Sequence, residues 1–163
     1  MTLATLPGGE GGERRWLDLR ACLLACAVLL PLLSHAAGCT WESVAAKHQL
    51  NPRLLYAIAQ TESRLNPLAF NRNKNGSRDI GMMQINSSWL PLLARHGISE
   101  ADLYDACVSL DVGAWILAKN QQSYGNTWEA VGAYNARSPA LRARYAESVY
   151  RQLVSTPGSR LKQ

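Results

Sequence analysis

Two carboxylates, Glu62 and Asp79, are the side chains of this sequence best placed to do chemistry. Glu62 stands near the end of an apolar-patterned segment (PRLLYAIAQTES), and Asp79 opens DIGMMQINSSW after a polar, turn-rich stretch. A carboxyl group where a helix leaves the hydrophobic core keeps its proton to higher pH, because burial disfavours the charged form. A proton retained at neutral pH is what acid-catalysed cleavage of a sugar bond requires. A second carboxylate across the bond is the usual glycosidase arrangement, acting as nucleophile or as a stabiliser of positive charge. Each has a plainer alternative. Most glutamates are solvated surface groups, and an aspartate after Asn-Gly often braces the turn.

Helical phase decides how Glu62 is presented. Leu55, Ile58, Ala59 and Glu62 fall at i, i+3, i+4 and i+7, so the acid shares the buried face, while Arg53 and Gln60 mark the polar one. Asn51 and Pro52 are a good N-cap and first helical residue. Near the C-terminus the helix dipole opposes ionisation as well. Asn66-Pro67 is the expected end of this helix. The cluster NRNKNGSR (Asn71 to Arg78) carries Asn75-Gly76, a strong hairpin signal, and predicts a small β-ribbon or an ordered loop over a cleft.

The other elements read as helices. Trp41 to His48 comes first, with Trp41 and Val44 inward. Ser87 or Ser88 is expected to cap a helix ending at Gly97, and Ser99 with Asp102 resembles a capping box. A longer helix is expected from about Cys107 to Tyr124, stopped by Gly125. Thr127 starts another, carrying Trp128, Val131 and Tyr134. Ser138-Pro139 opens the last, through Tyr145, Val149 and Leu153. No repeat or linker interrupts them, which predicts one mainly α domain.

Gly81 to Asn86 (GMMQIN) combines apolar and amide side chains. An amide can hydrogen-bond sugar hydroxyls or N-acetyl groups, and methionine can line a groove. Met82 and Ile85 read better as core. Tyr134 and Asn135 could brace a carboxyl group and bind a sugar, or merely finish a helix. His48 and His96 stand alone without ligand spacing, so no metal is implied. No serine or cysteine nucleophile motif is present, and no cofactor is called for.

The ends are read separately. Arg14, Arg15 and Arg20 precede a short apolar run, Ala21 to Leu33, and then Ser34-His35-Ala36. That is the pattern of a secretory signal peptide (1–36), too short for a membrane span. Residues 37–154 are the expected folded domain, and 155–163 a frayed tail. The first 36 residues hold three of the 17 Lys and Arg and three of the 12 Asp and Glu, so the net charge of +5 belongs to the remainder. A modest basic balance suits a polyanionic wall or membrane surface. The absence of a Lys/Arg-rich run argues against nucleic acid. Cys22 and Cys26 leave with the signal peptide, and Cys39 with Cys107 is an even pair, which in an exported domain reads as a disulfide. Lipidation of Cys39 is the alternative. Ala36-Ala37-Gly38 suits it, but an aliphatic residue is missing before them, and a lipidated Cys39 would strand Cys107.

AIAQTESRLNP, NGSRDIGMMQINSSWL, VGAWILA and WEAVGAYNA, in this order, resemble the lytic transglycosylase family with a lysozyme-like domain. The likeness runs from about Cys39 to about Val154. It is strongest to the small stand-alone branch associated with type III secretion, pili and conjugation. The resemblance implies a lysozyme-like fold, most simply a monomer, acting on peptidoglycan in the periplasm beside a secretion, pilus or conjugation apparatus. It implies cleavage of the β-1,4 bond between N-acetylmuramic acid and N-acetylglucosamine, with a 1,6-anhydro end. It also implies Glu62 as the acid, Ser63, Gln84 and Asn86 along the cleft, Met83 against the sugar, and Tyr134 near the acid, with Asn135 beside it in the late motif. Asp79 departs from the single-acid pattern of the family and resembles the second carboxylate of animal-type lysozymes. A hydrolytic muramidase using Glu62 and Asp79 is therefore an alternative. A silent wall-binding or assembly module is a third.

Overall fold

Asn51 accepts the Arg53 N–H through its side chain, and Pro52 begins the helix that carries the acid, as the sequence predicts. In the computed structural model, which describes residues 38–156, the preceding α1 spans Trp41–His48 and this α2 spans Pro52–Ser63. Helix α2 ends three residues earlier than Asn66-Pro67 suggests. Arg64 and Leu65 both take left-handed backbone conformations (φ 57° and 66°), and the Arg64 N–H closes onto the Ala59 and Gln60 carbonyls. Consecutive left-handed residues without glycine are uncommon. They turn the chain sharply out of the core immediately after the acid.

The turn cluster forms a hairpin, β1 (Phe70–Arg72) against β2 (Arg78–Ile80), with Gly76 at φ 83° in its loop. A third strand, β3 (Ile85–Asn86), pairs antiparallel to β2, so that Asp79 stands opposite Asn71 on one side and Asn86 on the other. Gly81 links β2 to β3 with φ 75°, and a Cβ there would run into the Leu103 carbonyl. Glycine alone tolerates both demands.

The expected helix from Ser87 to Gly97 is broken into three pieces. A 3₁₀ turn (Ser87–Trp89), α3 (Leu90–Leu93) and a second 3₁₀ turn (Ala94–His96) follow one another, and Gly97 ends them at φ 74°. The cap is Asn86, whose side chain accepts the Ser88 N–H, rather than Ser87 or Ser88. Ser99 and Asp102 bond each other reciprocally, before a 3₁₀ turn at Ala101–Tyr104. Helix α4 (Ala106–Tyr124) starts one residue before the expected position, capped by Asp105. Helices α5 (Trp128–Asn135) and α6 (Pro139–Ser155) complete the domain, and Ser138 makes no side-chain cap bond.

Helix α4 is central. Buried residues such as Leu110, Ala114 and Leu117 lie on several of its faces, the pattern of a helix surrounded by the rest of the fold. Leu55 and Ile58 from α2, Ile80 and Ile85 from the sheet and Val149 from α6 fill the core around it. Close approach needs glycine twice. A Cβ at Gly132 would lie 2.6 Å from the Arg142 Cβ on α6, and one at Gly113 would lie 2.7 Å from the Met83 Cε.

Cys39 and Cys107 form a disulfide, with Cα atoms 5.7 Å apart and a separation of 68 in sequence. It ties the segment before α1 to the first turn of α4, and a loop of that length corresponds to roughly 4 kcal/mol of stabilisation in the chain-entropy picture. With that pairing the Cys39 thiol is not free for lipidation. No helix among the described residues is long and apolar enough to cross a membrane. The expected leader, 1–36, and all of the expected tail beyond Thr156 lie outside the described residues.

Candidate active site

A cleft of about 850 Å³ is lined by Glu62 from the end of α2, Asp79 and Asn86 from the sheet, Gln84, Asn120 from α4, and Tyr134 and Asn135 from α5. Both carboxylates of the sequence reading therefore share one cleft. Glu62 is half-buried, and burial pushes its carboxyl from an ordinary 4.5 up to about 7. A hydrogen bond from Tyr145 works against that rise, and the charge of Asp79 adds to it. Glu62 thus keeps its proton to much higher pH than an ordinary glutamate, and the Tyr145 hydroxyl steadies the ionised form. A carboxyl in that condition can give a proton and take one back.

Tyr145 is the site residue that sequence reasoning missed. Its hydroxyl donates to Glu62 Oε1 from α6, 83 positions away in sequence. Burial and the neighbouring Glu62 charge hold the Tyr145 hydroxyl well above its usual pKa, so it remains a donor. The signal available was a tyrosine within an apolar helical stripe, since a buried phenol needs a partner. Tyr134, the expected tyrosine, stacks on Tyr145 with ring centroids 6.4 Å apart, and burial, with the nearby Glu62 charge adding to it, holds its hydroxyl well above its usual pKa. Its hydroxyl donates elsewhere, to the Met83 carbonyl at 3.0 Å.

Asp79 is held by three amides. Asn86 Nδ2 donates to Oδ1 at 2.7 Å, while Asn73 and Asn71 donate to Oδ2 at 2.9 and 3.3 Å. All three donors are neutral, so they fix the carboxylate without cancelling its charge. Asn86 is fully engaged, because its Oδ1 caps the following 3₁₀ turn while its Nδ2 also reaches Ser77 at 3.1 Å. Gln84 takes a left-handed conformation (φ 50°) and donates to the Ala69 and Gly81 carbonyls at 3.2 and 2.9 Å. Its amide nitrogen fixes the wall of the cleft.

Two expectations are corrected. Met83 does not lie against the sugar site. It is fully buried under Gly113, and its N–H donates to Ser109 Oγ at 3.0 Å. Ser63 is not among the lining residues. Its hydroxyl donates to the Met82 carbonyl at 2.7 Å and so ties the 81–84 turn to the helix end carrying Glu62. Both residues support the cleft from behind.

Comparison with known proteins agrees with this geometry. Residues 40–151 match the transglycosylase SLT domain family. The invasion protein IagB of Salmonella typhimurium (strain SL1344) is 45% identical over 127 residues, covering 75% of this chain and 79% of that protein. Protein IpgF of Shigella flexneri is 39% identical over 134 residues, covering 78% and 88% respectively. The lytic transglycosylase Slt of Pseudomonas aeruginosa shares the fold, with a TM-score of 0.58 at 22% identity over 74% of this chain. This chain spans 24% of the length of that larger structure. The chain belongs to the SLT-domain family of lytic transglycosylases.

Proposed function

We propose that this cleft cuts the β-1,4 bond between N-acetylmuramic acid and N-acetylglucosamine of peptidoglycan and leaves a 1,6-anhydro end. Glu62 gives its proton to the glycosidic oxygen as the bond to C1 breaks. As a carboxylate it then takes the proton of the muramyl 6-hydroxyl while that oxygen bonds C1, so no water is consumed and the acid is restored. The observation that carries the reading is the Glu62 carboxyl at about 7 in a cleft, with Tyr145 donating to it. The disulfide supports export to an oxidising compartment. Local wall opening beside a secretion, pilus or conjugation apparatus is the setting we propose for this reaction, and similarity to a protein named for invasion favours a secretion apparatus among the three.

Digestion of purified wall, read by mass spectrometry, tests the reaction. Anhydro-ended muropeptides, lighter by one water than reducing-ended ones, are the expected products. Reducing ends would favour hydrolysis instead, a reading supported by Asp79 in the same cleft. No release at all would favour a silent module, though a buried acid gives such a module only cost.

Tyr145→Phe is expected to lower activity at neutral pH by about tenfold, the effect of losing one hydrogen bond to a charged group. Removing a donor that favours the carboxylate raises the Glu62 pKa further. The alkaline limb of the pH–rate profile therefore moves to higher pH. An unmoved limb would exclude this role for Tyr145.

A further inference from the structure

Two cations share the cleft with the two carboxylates: Lys74 from the loop between β1 and β2, and Arg137 from the turn between α5 and α6. Both are exposed, and neither belongs to an ion pair among the described residues. The carboxylates of the cleft have other partners. Asp79 is held by three neutral amides and Glu62 by Tyr145, and the charge that bears on Glu62 is that of Asp79. Neither cation serves the groups that do the chemistry. The backbone under each is nevertheless fixed. The Asn73 N–H donates to the Ser77 carbonyl at 2.9 Å across the loop, and Arg142 Nε donates to the Ala136 carbonyl at 3.1 Å beside Arg137.

The substrate supplies the anions that the cleft does not. The sugar backbone of a peptide-bearing wall strand is uncharged, because each muramyl lactyl carboxyl is tied up in the amide bond to its stem peptide. The free carboxylates are on the peptides. We propose that Lys74 and Arg137 bind carboxylates of the stem peptides, so that the cleft favours strands whose peptides carry them. This rests on the reading of the cleft as a peptidoglycan-cleaving site and adds which part of the strand is recognised besides the sugars. A guanidinium takes a carboxylate through two parallel hydrogen bonds, whereas an ammonium acts as a point charge, so Arg137 is the more directional of the two. Exposed pairs of this kind are individually weak and are screened by salt. They bias the choice of strand and leave the cutting to Glu62.

Affinity for soluble, uncrosslinked, peptide-bearing glycan strands tests this in the Glu62→Gln background, where turnover is expected to be lost. Two forms are compared, one with its peptide carboxylates free and one with them capped as primary amides. Adding Lys74→Gln or Arg137→Gln is expected to weaken binding of the free form by about two- to fivefold each, the range of an exposed ion pair. Together they should cost about tenfold and remove most of the salt dependence, with the thermal midpoint unchanged. Binding of the capped form should not weaken. Arg95→Gln with Arg144→Gln removes two exposed cations outside the cleft and should leave the discrimination between the two forms intact. Equal weakening on both forms, no weakening on either, or the same loss of discrimination in the Arg95 and Arg144 control would each overturn the proposal. Wall digestion by the wild-type protein is read separately. Its failure would remove the proposed reaction and leave these affinities to judge Lys74 and Arg137 alone.

Discussion

Glu62→Gln should abolish release of muropeptides while making the protein more stable above neutral pH. The substitution keeps the shape of the side chain and an oxygen to accept the Tyr145 hydroxyl, but removes the transferable proton. General acid–base catalysis by a positioned group contributes about 10²- to 10⁴-fold. One carboxyl serves both halves of the proposed reaction here, so a loss of about 10³-fold or more is expected. A folded glutamine variant that still digests wall would remove Glu62 from the chemistry.

The stability arm follows from linkage. In the unfolded chain Glu62 loses its proton near 4.5, and in the folded protein near 7. Between those values the unfolded state binds fewer protons, so the stability of the wild type falls as pH rises through that window. The shift corresponds to about 3 kcal/mol once the carboxyl is ionised in both states. Glutamine does not titrate and escapes this loss. The two proteins should match near pH 4 and diverge up to about pH 8, where the variant unfolds at higher denaturant. Parallel stability curves across that range would mean that Glu62 is not held in a desolvating site.

What could be read from the sequence follows the range of each interaction. Glu62 was legible because helical phase is local: Leu55, Ile58 and Ala59 fix the face it shares. The hairpin was legible because Asn75-Gly76 is a turn signal within one short segment. Strand β3 was not, since Ile85 and Asn86 are too few to show an alternation. Met83 was placed on the wrong side for a related reason. The turn from Gly81 to the left-handed Gln84 interrupts the side-to-side alternation, so neighbours no longer report which way a residue faces. Ser87 and Ser88 competed with Asn86 as the cap, and the pairing of Asn86 with β2 settled the choice. Tyr145 is the clearest case. Its contact with Glu62 depends on how α6 lies across the end of α2, and no spacing within either helix encodes that. The amides around Asp79 are intermediate: Asn71 and Asn73 lie close in sequence, but their convergence needed the hairpin register.

Asp79→Asn should cost about 10²- to 10³-fold in turnover, and it separates a chemical role from a bracing one. As the bond to C1 breaks, positive charge develops on the sugar, and a fixed carboxylate nearby stabilises it. Preorganised charge of this kind is worth roughly 3 to 4 kcal/mol. The three asparagine donors suit that task, since they hold both oxygens in place without a cation to neutralise them. The same donors explain why asparagine is a poor replacement. Its own NH₂ must face Asn86 on one side or Asn71 and Asn73 on the other, so one contact reverses from attraction to repulsion and stability falls as well. Turnover must therefore be compared at a pH and temperature where the variant is folded. If Asp79 only braced the hairpin, the folded variant would keep activity to within about tenfold, or 1.4 kcal/mol. The pH profile carries a second reading. The Asp79 charge raises the Glu62 pKa, so its removal lowers that pKa and moves the alkaline limb to lower pH, opposite to the shift expected for Tyr145→Phe. Near-normal turnover in the folded variant, with anhydro products unchanged, would return Asp79 to the architecture of the hairpin and leave Glu62 as the sole catalytic carboxylate.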